Sequence, residues 1–199
     1  MTHRPKSSLV AMACAALTLW LGSHAGFAFA VQGSAKVTSS AQNATVTKFQ
    51  KNVKAYVRLR EKLETKLPHL SKKATPEQIE AHKAVFEDAV RKARANSKPG
   101  NIFAPDISNY IRATIRTEFK GTDRKEVRET ILGADTKGVP LRVNYPYPET
   151  KELGQVPPTL LLALPQLPKQ MRYRFVGRHL LLVDRENGLI VDYMLNALP

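Results

Sequence analysis

At Gly133 the hydrophobic period of this 199-residue chain changes, and that change limits its fold more than composition does. Before Gly133 apolar residues recur every three or four positions; after it they alternate. The two periods belong to helices and strands, so the chain is neither all-α nor all-β. We expect an α+β fold: an N-terminal helical hairpin, two shorter helices and a C-terminal three-stranded antiparallel β-meander.

The helical half is read from its stripes and stops. Val46, Phe49, Val53, Tyr56, Leu63, Leu67 and Leu70 mark the first helix, with Arg60 in a place an apolar residue would take. As on a surface helix, Arg60 should pack its stem and hold its head in water. Pro68 ends this helix near Lys66 or Leu67. Thr75, Pro76 and Gln78 then supply an N-cap, a first-turn proline and a reciprocal capping residue. Ile79, His82, Phe86, Ala89 and Ala93 form the second stripe. Residues 97–101 break the pattern. Pro105 and Asp106 open a third helix carrying Ile107, Tyr110, Ile111, Ile115 and Phe119, closed by Gly121. Thr122 and Asp123 open a fourth with Val127, Ile131 and Leu132, stopped by Gly133.

In the β half, Leu141, Val143 and Tyr145 alternate with Arg142 and Asn144, a strand pattern ended by Pro146 and Pro148. Leu160–Leu164 lies between prolines and is either a short helix or an edge segment. Met171, Tyr173 and Phe175 alternate with Arg172 and Arg174, Gly177-Arg178 makes a two-residue turn, and His179–Val183 returns. Asn187-Gly188 turns again into Leu189–Met194. The unbroken apolar run Leu180–Val183 needs cover on both faces. A helix, such as the third, should lie across this meander, since three bare strands are barely stable.

The N-terminus reads as a targeting segment. Arg4 and Lys6 precede the apolar run Leu9–Leu21, which is too short to span a bilayer. Small residues then allow cleavage after Ala25, Ala28 or Ala30, with an uncleaved membrane anchor as the alternative. We therefore assign 1–30 to a signal peptide, 31–45 to a flexible tether, 46–98 to the helical hairpin and 99–199 to an α+β domain. The expected location is the periplasm or the extracellular space. A single Cys, Cys14, excludes a disulfide framework and a thiolate zinc site.

Several segments carry a resemblance: Lys98–Pro105 (KPGNIFAP), Val139–Asn144 (VPLRVN), Val156–Leu161 (VPPTLL), Leu164–Pro168 (LPQLP) and Tyr173–Arg178 with Leu189–Asp192. Over about Glu77 to Met194 the chain resembles an uncharacterised family of exported bacterial proteins, a domain of unknown function. The resemblance implies export and the fold, and no chemistry. Ala104 departs from it where Thr would cap the third helix, a loss of about 1 kcal/mol. The last hairpin is loosely similar to the tail of small periplasmic proteins linked to nickel and cobalt homeostasis, which transfers no site.

No catalytic motif is present. His69, His82 and His179 have no metal-ligand spacing, no Gly-x-Ser-x-Gly elbow occurs, and the glycines of 31–199 stand singly. Asp184 and Asp192 are the best carboxylate pair for a hydrolase, yet Asp184 sits where a strand meets its turn, and Asp192 is expected to pair with Arg174 or Arg178. No cofactor is implied, and the chain is expected not to be an enzyme. Charge is the remaining signal: 31 Lys+Arg against 17 Asp+Glu, a net +14. On the first helix Lys48, Lys51, Lys54, Arg58 and Lys62 face only Glu61 and Glu64. Such a face would hold an anionic envelope surface or an acidic protein partner. A solvated, solubilising face is the competing reading. Export makes nucleic acid an unexpected ligand. The alternative site is a small-molecule- or metal-responsive one on the sheet, built from Tyr173, Arg174, His179 and Asp192.

Overall fold

The computed structural model describes residues 30–120, 124–134, 136 and 138–199. The expected signal peptide up to residue 29, Gly121 and the Thr122-Asp123 helix start lie outside the described residues. The chain divides into two units, Met1–Val37 and Thr38–Pro199. The described elements are α1 (Ala30–Glu64), α2 (Pro76–Ala93), α3 (Pro105–Glu118), α4 (Lys125–Gly133), α5 (Pro158–Ala163), β1 (Met171–Val176), β2 (His179–Asp184) and β3 (Ile190–Met194). The fold is α+β, with helices and a three-stranded antiparallel sheet in the order β1-β2-β3.

The first helix starts earlier than its pattern. Residues 31–45, expected as a flexible tether, are helical without a break. Residues 39–44 are all exposed, and burial begins only around Thr45 and Val46, where the stripe begins. Residues 39–44 show no apolar register because their side chains face solvent; a helix nucleated further along needs no buried face there. α2 starts as its residues dictate: Gln78 N–H donates to Thr75 Oγ1 and Thr75 N–H to Gln78 Oε1, a complete capping box. α3 starts at Ala104 with no side-chain cap.

The sheet is built on tight turns and a buried middle strand. Gly177 has φ +51, the sign a Gly-X hairpin turn requires at its first position. Leu180, Leu181, Leu182 and Val183 are completely buried, each such side chain contributing about 1.5–3 kcal/mol relative to exposure. One face of the sheet joins the main core, where Leu180, Leu182 and Phe175 cluster with Phe49 and Val53 of α1, Phe86 and Val90 of α2 and Ile107, Ile111 and Ile115 of α3. Residues from both 46–98 and 99–199 thus share one hydrophobic cluster. Phe103 links the layers, its ring centroid 5.7 Å from Phe49 and 6.5 Å from Tyr173.

The other face is covered by irregular chain. Tyr147, with Val139, Leu141 and Leu153 around it, packs on Leu181, Val183 and Ile190. The strand expected over Leu141–Tyr145 is therefore absent; the segment turns at Asn144, whose φ of 66° no strand contains. Arg94 holds it there, donating to Asn144 Oδ1 and to Val191 O while Asn144 Nδ2 donates back to Arg94 O. Asparagine tolerates this left-handed conformation better than most residues. Beyond the edge of β1, Gly154 exchanges two 2.8 Å backbone hydrogen bonds with Phe175. A Cβ on Gly154 would come within 3.1 Å of Phe175 Cβ, so any side chain there would have to push the paired strand aside by a few tenths of an ångström.

Candidate functional site

Lys48, Lys51, Lys54, Arg58 and Lys62 are all exposed on α1. Their steps of three, three, four and four residues keep them on one side of the helix. At about 1.5 Å rise per residue the row is about 21 Å long. Its two local acids are engaged elsewhere. Glu61 accepts from Gln170 Nε2 at 3.2 Å, and Glu64 accepts from Arg60 Nη1 at 2.8 Å. None of the five cations is in an ion pair with a described residue.

Arg60 corrects the sequence reading. It is only 4% exposed, not a surface arginine with its head in water. Its Nε donates to Asp184 Oδ2 at 2.9 Å, its Nη1 to Glu64 and its Nη2 to Glu186, and its guanidinium lies 5.6 Å from the Phe86 ring centroid. Tyr56 Oη donates to the same Asp184 oxygen at 3.0 Å. Burial opposes the arginine's charge, but Asp184, Glu64 and Glu186 outweigh it and raise its pKa. Burial, reinforced by the Asp184 carboxylate, pushes the Tyr56 hydroxyl well above the usual phenol range. Asp184 Oδ1 accepts from the N–H groups of Glu186 and Asn187, shaping the turn into β3. Through Tyr56 and Arg60 this buried cluster ties α1 to Asp184 at the end of β2.

The four residues expected as a sheet site do not converge. Tyr173 is in the core, its hydroxyl donating to Pro165 O at 3.0 Å and its pKa raised by burial. His179 Nδ1 accepts from Asn196 N–H at 3.1 Å. Asp192 does not pair with Arg174 or Arg178. Its carboxylate accepts from the N–H groups of Gly100, Ile102 and Phe103 at 2.6–2.8 Å, and from its own neighbour Tyr193. Burial raises its pKa, and those backbone donors oppose the rise. Asp192 thus fastens the α2–α3 connection to β3. Asp184 and Asp192, the carboxylates considered for hydrolysis, are both completely buried and bound by these partners. Among the described residues no three metal-ligating side chains cluster.

Arg174 belongs to a different group. A cleft of about 310 Å³ lies between β1 and the Pro165–Lys169 segment; Arg172, Arg174, Arg185 and Lys169 line it, and no carboxylate is among the described lining residues. Arg172 and Arg174, two residues apart on β1, fall on the same side of the strand. That alternation is visible in the sequence; the approach of Arg185 and Lys169 is not, because it depends on the β1–β2 register and the Pro-bounded loop. The loop is in turn tied to α1, with Gln50 Nε2 donating to Gln166 O and Gln170 Nε2 to Glu61. The basic row of α1 and the basic cleft therefore flank the same loop. No helix among the described residues is long and apolar enough to cross a membrane. The chain matches no protein-family model, no curated protein and no solved structure.

Proposed function

We propose that the chain is an exported, non-enzymatic envelope or periplasmic protein that binds an anionic surface through α1, in keeping with the uncharacterised exported family it resembles. In this reading α1 and α2 form the N-terminal helical hairpin, and the shorter helices and the meander carry it. Lys48, Lys51, Lys54, Arg58 and Lys62 are the contacts. The observation that supports it is the unneutralised row itself: five exposed cations along one helical side, whose nearest acids are committed to Arg60 and Gln170. Exposed charges that only keep a protein soluble are ordinarily interspersed with the opposite sign. A one-sided row raises the local concentration of anions and draws in a charged surface until salt screens it.

The test is co-sedimentation with anionic and with neutral vesicles across a salt series. Binding should be confined to anionic vesicles and fall steeply between low and physiological salt. Replacing all five cations by glutamate should abolish it without shifting the thermal midpoint, since none of them supports the fold. Pelleting unchanged by that charge reversal would sink the proposal.

A further inference from the structure

We propose that the cleft beside β1 binds the phosphate group of an anionic phospholipid, with Leu161 and Leu162 of α5 entering the bilayer interface next to it. This rests on the reading of α1 as a surface-binding helix and gives that surface a chemical identity.

Four cationic side chains share the cleft wall with no acid among the described residues that line it. Burial first, and then the neighbouring Arg172 and Arg185 charges, lower the pKa of Arg174, as expected of guanidinium groups gathered without a counter-ion. Arg172 Nε is buried with no hydrogen-bond partner among the described residues, a donor whose desolvation none of them offsets. Arg174 Nη1 and Arg185 Nη1 reach backbone carbonyls of Tyr173 and Lys169, the latter only at 3.5 Å. The rest of their forks remains for oxygens placed in the cleft. Phosphate suits this set, because guanidinium forks bind its oxygens in pairs.

Two features select a phosphate carried by lipid. The volume lies at the small end of ligand sites, roughly 300–1,000 Å³, which suits one headgroup and not a polymer. Leu161 also lines the cleft, and the next residue, Leu162, is 80% exposed. Exposed leucines beside cations are the composition of interfacial binding sites. Keeping an edge strand from pairing would account for Arg172 and Arg174, but not for Arg185, Lys169 or the orphaned Nε.

The experiment titrates the whole protein with three probes: inorganic phosphate, a short-chain phosphatidylglycerol kept below its micellar concentration, and anionic vesicles. The monomeric lipid should bind saturably at one per chain and more tightly than phosphate. Arg174→Gln and Arg172→Gln should each weaken it about tenfold or more. Arg185→Gln, at an exposed position, gives the same reading if an edge-strand variant fails to fold. Leu162→Ser should weaken vesicle binding while sparing phosphate. The five-site α1 variant should lose vesicles yet still bind monomeric lipid, so failure of the helix reading and of the cleft reading are separable. Absence of saturable lipid binding, lipid binding no tighter than that of phosphate, or equal binding by the arginine variants would overturn the proposal.

Discussion

Replacing Arg60 by methionine tests how α1 is held to the sheet. The substitution keeps an unbranched apolar stem against Phe86 and removes the one cation bonded to Asp184 among the described residues. Asp184, with no solvent exposure, would retain only the Tyr56 hydroxyl and the N–H groups of Glu186 and Asn187, one of them at 3.5 Å. Breaking a buried pair by deleting one partner costs about 3–5 kcal/mol, mainly because the other charge is left uncompensated. In a unit of this size each kcal/mol moves the thermal midpoint by about 2–4 °C, so we expect a fall of roughly 6–20 °C. Glu64→Gln and Glu186→Gln remove the two partly exposed partners and should each cost under about 1 kcal/mol. The measurement is a double-mutant cycle by urea unfolding on Arg60→Met, Asp184→Asn and the pair together. The pair should be more stable than the sum of the single losses allows, with a coupling of at least about 2 kcal/mol. A loss below about 1 kcal/mol for Arg60→Met, or strict additivity, would mean that the Arg60–Asp184 pair does not hold α1 to the sheet.

Ala104→Ser should stabilise the protein by about 1 kcal/mol, because α3 starts there with no side-chain acceptor for its first N–H groups; an unchanged urea midpoint would show that those groups are already satisfied. His179 Nδ1 must be unprotonated to accept the Asn196 N–H, and burial together with the Arg178 charge lowers its pKa below 6.5. The unfolded chain then takes up its proton first as pH falls. The contribution of His179 is complete above pH 6.5 and is lost as pH drops through the lowered pKa. The stability difference between wild type and His179→Gln should therefore narrow with acidification, and parallel pH profiles would contradict this.

Local signals carried most of the architecture. The capping box at Thr75, the Gly177 turn and the apolar run of β2 act over a few residues, and each is found where its chemistry puts it. Two misreadings came from pattern without context. The alternation over Leu141–Tyr145 reflects packing on a sheet face, with Asn144 turned by an arginine 50 residues away. Residues 39–44 lack a stripe because they are the exposed part of a continuous helix. Charged partners were the least legible part. Arg60 finds Asp184 across 124 residues, and Asp192 finds three backbone donors about 90 residues away. Neither juxtaposition leaves a trace in spacing. The basic row of α1 was readable because a helix brings its own residues together, whereas the cleft needs the hairpin register to assemble.

The clasp between Asp192 and the 100–103 loop, like that between Asp184 and Arg60, also sets an order in time. During synthesis α1 to α3 emerge well before the strands that neutralise Arg60 and fasten the loop. Until β2 and β3 appear, the apolar sides of those helices have no sheet to close on, and local helix formation alone is too weak to hold them. Stable structure must wait for distant pairings, which form slowly. A nascent chain of this kind remains open for nearly its whole length, which is the state that the proposed export would require.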